Sequence, residues 1–263
     1  MTKYTQISVE HSHDDRIATV TMRRAEARNA LSPSLAADLR EAFTDLRSDT
    51  RLHAVVLTGD GPVFSAGADL NAMKASATFS QDQNLQDALA MSDLFKTINT
   101  FPCAVIGRVN GAAMGGGLGL VATCDIVIAV DSAKLAFSEV RLGIAPAVIS
   151  PYVLRKIGES QARMLFLTGE FFSVAHAREI GLVHIVTTAA ELDQVVEDKV
   201  GELLKSAPLA LRACKALALN VGQMDSETAR RYTAETLTRL RVSQEGQEGL
   251  QAFLEKRKPN WIV

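Results

Sequence analysis

A chain of 263 residues, 47% hydrophobic and 22% charged, can bury one large core, which excludes disordered and collagen-like classes. Its formal net charge of -2 argues against nucleic acid as the main partner, because neutralising a phosphate backbone needs a basic face. No apolar run approaches a membrane span, and Met1–Gln6 lacks the apolar core of a signal peptide.

In chain order, Ile17–Met22 alternates and is β-branched, predicting a strand paired with Ile7–Glu10. Ser32-Pro33 supplies an N-cap and a first-turn proline for a helix carrying Leu35, Leu39, Phe43 and Leu46. Ala54–Thr58 is a continuous apolar run, as expected of a strand covered on both faces, and Gly59–Pro62 turns the chain. Lys74–Asn84 is polar without periodicity and reads as a mobile loop, followed by a helix from about Leu85 to Ile98. Strands are predicted at Cys103–Val109, Ile126–Val130 and Lys134–Phe137, with a short glycine-led helix after the first. From Ser160 onward the pattern is helical apart from a strand at Val183–Val186, with amphipathic helices at Leu192–Lys205, Leu209–Leu219, Glu227–Leu240 and Gln244–Lys256. The class is therefore α/β with a helical C-terminal region.

Two glycine-bearing turns carry the chemistry. Asn110–Leu120 places Gly115-Gly116-Gly117 where the chain enters a helix, leaving outward N–H groups at the positive end of the helix dipole. Ser65-Ala66-Gly67-Ala68-Asp69-Leu70 repeats the arrangement, with Asp69 typed to cap the following helix. One backbone N–H from each turn, aimed at a shared point, would hold a carbonyl oxygen as it gains charge. The matching general acid or base is Glu139, past a short strand and ahead of Gly143 and Pro146, with Leu142, Ile144 and Val148 around it to raise its pKa. A surface ion pair with Arg141 is the structural alternative. Asp69 likewise needs no role beyond its cap.

Other signals fail. Gly117–Ala122 fits G-x-G-x-x-A, but its helix is too short to cross to a parallel strand before Ile126. Val63–Gly67 lacks the first glycine of a serine-hydrolase elbow. Five scattered histidines and three unpaired cysteines offer no metal spacing; Cys103, Cys124 and Cys214 read as buried thiols of a reducing cytoplasm. Basic clusters stand at Arg23-Arg24 with Arg28 and at Lys256-Arg257-Lys258, suited to solvent or to a ligand with several phosphates.

Taken in order, Arg28-Asn29-Ala30-Leu31, Ser65–Leu70, Asn110–Gly117, Cys124-Asp125-Ile126, Leu142–Pro146 and Ala252–Arg257 resemble the enoyl-CoA hydratase/isomerase (crotonase) superfamily nearly end to end. The resemblance implies a crotonase-like spiral of ββα units over residues 1–200 with the acyl-CoA site, and a C-terminal helical trimerisation region over 201–263. It implies homotrimers, usually paired into hexamers, and an acyl-CoA substrate, with coenzyme A present as part of that substrate and no permanently bound cofactor, metal or membrane. Ala68 and Gly116 would form the oxyanion hole and Glu139 would move the proton. Arg28, Ala66, Ala68 and Leu70 would lie by the adenine and phosphates, and Phe253 and Lys256 of a neighbouring subunit would close over the CoA. Two-glutamate hydratases of the family carry a glutamate where this chain has Gly119. The segment Ser138–Tyr152 looks most like methylglutaconyl-CoA hydratases. Three activities are compatible: a hydratase, a Δ3-Δ2 enoyl-CoA isomerase using one glutamate, or a non-catalytic acyl-CoA-binding or RNA-associated scaffold.

Overall fold

The computed structural model describes residues 3–262; Met1, Thr2 and Val263, which close the expectations for the two termini, lie outside them. The chain opens with an antiparallel pair, β1 (Ile7–Ser12) and β2 (Ile17–Met22). Helix α1 (Pro33–Leu46) follows, with the Ser32 hydroxyl accepting from the Leu35 amide and Pro33 in the first turn. Its stripe of Leu35, Leu39, Phe43 and Leu46 is buried, as the spacing predicts.

Three ββα units then repeat. The first is β3 (Ala54–Gly59), β4 (Val63–Ser65) and the helices α2 (Leu70–Ser76) and α3 (Gln81–Asn99). The second is β5 (Ala104–Val109), β6 (Ala112–Met114) and α4 (Gly116–Thr123); the third is β7 (Ile126–Val130), β8 (Lys134–Ala136) and α5 (Ser150–Thr168). Helix α5 is broken at Gly158, whose φ of 73° is not helical. The chain continues through β9 (Phe171–Ser173), α6 (Val174–Glu179), β10 (Ile185–Thr187) and α7 (Leu192–Leu204). It ends in α8 (Pro208–Asn220), α9 (Ser226–Arg241) and α10 (Gln244–Leu254).

The first strand of each unit joins a six-stranded sheet in the order β1-β2-β3-β5-β7-β10, and the second joins a four-stranded sheet, β4-β6-β8-β9. Within each sheet the repeated strands are parallel neighbours, so the chain winds as a spiral. Every residue of β3 is buried, in keeping with its unbroken apolar run. Phe43 and Phe101 meet edge to face at 5.3 Å where α1 approaches the end of α3.

Several expectations change. Lys74–Asn84 is not a loop: α2 runs to Ser76 and α3 begins at Gln81, four residues earlier than predicted. The cause is local capping rather than an apolar stripe. Ser80 and Gln83 form a reciprocal capping box, with bonds of 3.2 Å and 2.8 Å, that starts a helix whose first turns face solvent. The glycine-led helix follows the short strand β6, not β5 directly. Cys103 and Cys124 are buried, but Cys214 is exposed, because α8 buries Ala213 and the next residue turns outward. Asp125 is structural: its carboxylate accepts from the Val105 amide at 2.7 Å and the Lys215 ammonium at 2.6 Å, tying α8 to β5. Among the described residues no helix is long and apolar enough to cross a membrane.

Candidate active site

Strands β4, β6 and β8 lie side by side in parallel, so their C-terminal ends emerge together. Two or three residues past those ends stand Ala68, Gly116 and Glu139. All three line one cleft of about 210 Å³, together with Leu31, Met73, Asp87, Met91, Phe95, Ile144, Val148 and Ile149.

The directions of the two amides follow from their carbonyls. In a trans peptide the C=O and N–H point opposite ways. The Gly67 carbonyl accepts from the Leu31 amide at 2.7 Å, and Asp69 N donates to the Leu31 carbonyl at 3.3 Å, so the Ala68 N–H is turned away from Leu31. On the other loop, the Gly115 carbonyl accepts from Gly119 N at 3.1 Å, which aims the Gly116 N–H out of the start of α4. Neither N–H donates to a carbonyl among the described residues. Gly67 brings the loops together: a Cβ there would lie 2.7 Å from the Met114 carbonyl oxygen and 3.6 Å from Gly116 N, and its φ is 87°. A side chain would push them apart.

Arg28-Asn29-Ala30-Leu31 buttresses this turn from behind. The Ala66 amide donates to the Arg28 carbonyl at 2.9 Å, and the Ser65 hydroxyl to the Asn29 carbonyl at 2.8 Å. Buried Asn29, at φ 51°, donates to the Asp60 and Val63 carbonyls at 2.8 Å each. Arg24 is also drawn inward, pairing with Asp69 at 2.9 Å rather than serving as free basic surface. Asp69 caps α2 through the Asn71 and Ala72 amides, as predicted. Burial alone would raise its pKa, but the hydrogen bonds from Ala72, Arg24 and Asn71 hold it below the ordinary carboxylate range.

Glu139 opens a short 3-10 turn that ends at Gly143 in the left-handed region. It is half-buried, and burial raises its pKa above the usual glutamate value, offset in part by its own backbone amide. Its Oε2 is buried and has no hydrogen-bond partner, and no ion pair among the described residues involves it. Arg141 turns instead toward Gly169, where a Cβ would meet its Cγ and Nε at 3.4 Å. Gly115 leaves room for the carboxylate: a Cβ there would stand 2.9 Å from Glu139 Oε1. Ile144 and Val148 line the cleft as expected; Leu142 does not and is 61% exposed.

The place beside Gly119 is apolar. A Cβ on Gly119 would lie 2.2 Å from Ile149 Cγ2 and 2.9 Å from Phe95 Cε1, so a larger residue there has no room. Ile149, Phe95, Met91 and Asp87 went unpredicted. The last three follow a helical i, i+4 stripe on α3, but only the folded topology turns that stripe toward the cleft.

Of the remaining predicted residues, Arg28 and Ala66 flank the Ala68 turn, and Leu70 is 73% exposed at its rim. Phe253 and Lys256 are not in the cleft lining; Phe253 is 80% exposed near the end of α10 and Lys256 follows it at φ 53°. Arg257 is engaged by Glu248 and Glu255, at 2.7 Å each. A larger groove, about 580 Å³, lies between α8 and the end of α3 and includes none of the predicted site residues. Among the described residues no group of three His, Cys, Asp or Glu side chains is placed to hold a metal ion.

Residues 12–262 match the family model described as enoyl-CoA hydratase/isomerase. The chain belongs to that family. It is 33% identical to the crotonyl-CoA hydratase of Syntrophomonas wolfei, covering 95% of both chains. It is 30% identical to the 2,3-dehydroadipyl-CoA hydratase of Escherichia coli, over 95% of this chain and 96% of that one. Among solved structures, an enoyl-CoA hydratase from Shewanella pealeana superposes with a TM-score of 0.93 at 35% identity, covering 98% of this chain and 97% of the other. Pseudomonas aeruginosa AtuE does so at 0.95 and 32% identity, covering 98% and 100%. The fold is the crotonase fold of these enzymes, and the chain is an enzyme of the enoyl-CoA hydratase/isomerase family acting on an acyl-CoA.

Proposed function

We propose that the protein is an enoyl-CoA hydratase working with one carboxylate. The observation that carries this reading is the emergence, at the ends of three adjacent parallel strands, of two amides and a half-buried glutamate that have no partner among the described residues. The thioester oxygen of the substrate binds between the Ala68 and Gly116 N–H groups. Glu139, ionised, takes a proton from the attacking water as its oxygen bonds to Cβ. The double-bond electrons move onto the thioester oxygen, and one such donor is worth about 10²–10³ in rate. Glu139 then returns the proton to Cα, so the net change is addition of one water. A positioned acid/base of this kind contributes roughly 10²–10⁴.

The CoA portion lies along Arg28, Ala66 and Leu70, with Phe253 and Lys256 of a neighbouring subunit closing over it in a homotrimer or hexamer. Free thiols at Cys103, Cys124 and Cys214 fit a reducing, cytoplasmic setting. The acyl chain is branched or carboxylated, 3-methylglutaconyl-CoA being the choice that the segment Ser138–Tyr152 favours. The cleft lining contains Asp69, Asp87 and Glu139 and no Lys, Arg or His, so a distal carboxylate must find its cation outside this wall.

A second reading, Δ3-Δ2 enoyl-CoA isomerase, is favoured by the apolar filling beside Gly119, because Glu139 alone suffices to carry a proton from Cα to Cγ. Turnover of crotonyl-, 3-methylglutaconyl- and 3-enoyl-CoA in heavy-oxygen water separates the two. A 3-hydroxyacyl product carrying the heavy oxygen is expected. Conversion of the 3-enoyl ester alone, with no label gained, would establish the isomerase instead.

A further inference from the structure

Arg24 stands in a basic cluster that suits phosphate binding, yet it is folded inward with its side chain only 16% exposed. Its Nη1 donates to the Ala30 carbonyl at 2.6 Å and its Nη2 to Asp69 Oδ2 at 2.9 Å. Its own amide donates to Asn29 Oδ1 at 3.0 Å. One guanidinium therefore grips both layers that meet behind the Ala68 amide: the 28–31 segment through Ala30, and the 65–69 turn through Asp69. Between those grips, Leu31 holds the Gly67 and Asp69 peptides by two backbone hydrogen bonds. Because the Gly67 carbonyl and the Ala68 N–H belong to one planar peptide, a small slide of the turn against Leu31 rotates that N–H directly.

Resting on the oxyanion reading above, we propose that Arg24 is a positioning residue for the oxyanion hole, acting through Asp69 to fix the direction of the Ala68 N–H, rather than a ligand of the CoA phosphates. A guanidinium is suited to this because its planar fork reaches a carbonyl and a carboxylate at once, which an ammonium does with one point charge. Asp69 divides its two oxygens accordingly, Oδ1 on the first amides of α2 and Oδ2 on Arg24. The cap starts the helix; the ion pair sets where the cap sits.

The two assignments predict different kinetics. A phosphate ligand lost from the CoA site raises KM. A misdirected oxyanion donor lowers kcat, because the charge it serves develops on the way to the enolate. Displacement of a catalytic group by about 1 Å costs up to about 100-fold, so Arg24→Gln is expected to lower kcat about 10- to 100-fold with KM changed less than about threefold. Arg24→Lys should recover part of the loss, and Asp69→Asn, which keeps a good cap, should reproduce it. The decisive readout is spectroscopic: an aryl-enoyl-CoA bound to the wild-type protein should absorb at longer wavelength as its carbonyl is polarised, and Arg24→Gln and Asp69→Asn should each shrink that shift. A full shift in both variants, or a rise in KM with kcat unchanged, overturns the positioning role while leaving the oxyanion reading intact. No shift in the wild type, with the ester bound, overturns the oxyanion reading and this inference with it.

Discussion

The role proposed for Glu139 rests on what does not touch it. Among the described residues no cation pairs with it, Arg141 having turned toward Gly169, and burial raises its pKa. If the ionised form starts the reaction, kcat/KM must fall as pH drops through that raised pKa, which places the acid limb above the 4.5 of an ordinary glutamate. A pH–rate profile checks this, and a limb at or below the ordinary value would contradict it. The same shift acts on stability. A carboxyl whose folded pKa exceeds its unfolded one favours the folded state at low pH and weakens it as pH rises through the folded value. Glu139→Gln should therefore raise Tm at neutral pH, and the gain should vanish in acid below the unfolded pKa. Gly115 belongs to the same account. At φ 45° and with Glu139 Oε1 2.9 Å from its absent Cβ, Gly115→Ala should lower both Tm and turnover by straining the turn and displacing the carboxylate. Gly119→Glu should not restore a second carboxylate by itself, because its Cβ would collide with Ile149; overpacking of this kind costs about 1–3 kcal/mol. Adding Ile149→Ala should return much of the lost Tm, as thermal unfolding of the pair will report.

At the scale of elements, the site is a consequence of strand order. The four-stranded sheet sets β4, β6 and β8 side by side in parallel, with a register shift between Val63 and Ser65 of β4, and each delivers one group just past its end. Helix α3 forms the facing wall through Asp87, Met91 and Phe95. Phe95 is fully buried, so Phe95→Ala should cost about 3–5 kcal/mol in denaturant unfolding and open the cleft beside Gly119 to bulkier acyl chains. Much of this was legible in the sequence. The glycine turns, the Ser32 and Asp69 caps and the apolar run of β3 are local signals, and local chemistry decides them. What escaped was of two kinds, weak local signals and packing between distant residues. The three-residue strands β4 and β6 have too few residues to show a period, and the first turns of α3 are held by a capping box rather than a stripe. The inward turn of Arg24 and the filling of the Gly119 site by Ile149 depend on partners tens of residues away. The residues flanking the amides were recognisable from the resemblance, but the wall that limits the acyl chain was not.

At the scale of the molecule, the last three helices carry apolar side chains that the single chain leaves uncovered, among them Leu209, Leu237, Val242, Leu250, Phe253 and Leu254. The proposed trimer or hexamer would cover these side chains. Sedimentation should give a mass three or six times the 28.3 kDa of one chain, and a fully active monomer would contradict the shared-site proposal. If Phe253 and Lys256 serve a neighbour's cleft, mixed oligomers of Glu139→Gln and a Phe253→Ala/Lys256→Ala chain should recover part of the activity that neither parent has. Parents that gain nothing on mixing would confine each site to its own chain.

The most direct test of the account sets binding against turnover in Glu139→Gln. With both amides untouched, the variant should bind a non-reactive acyl-CoA with the wild-type Kd while kcat falls by about 10²–10⁴. Wild-type kcat in that variant would contradict the assignment of the proton transfer to this glutamate.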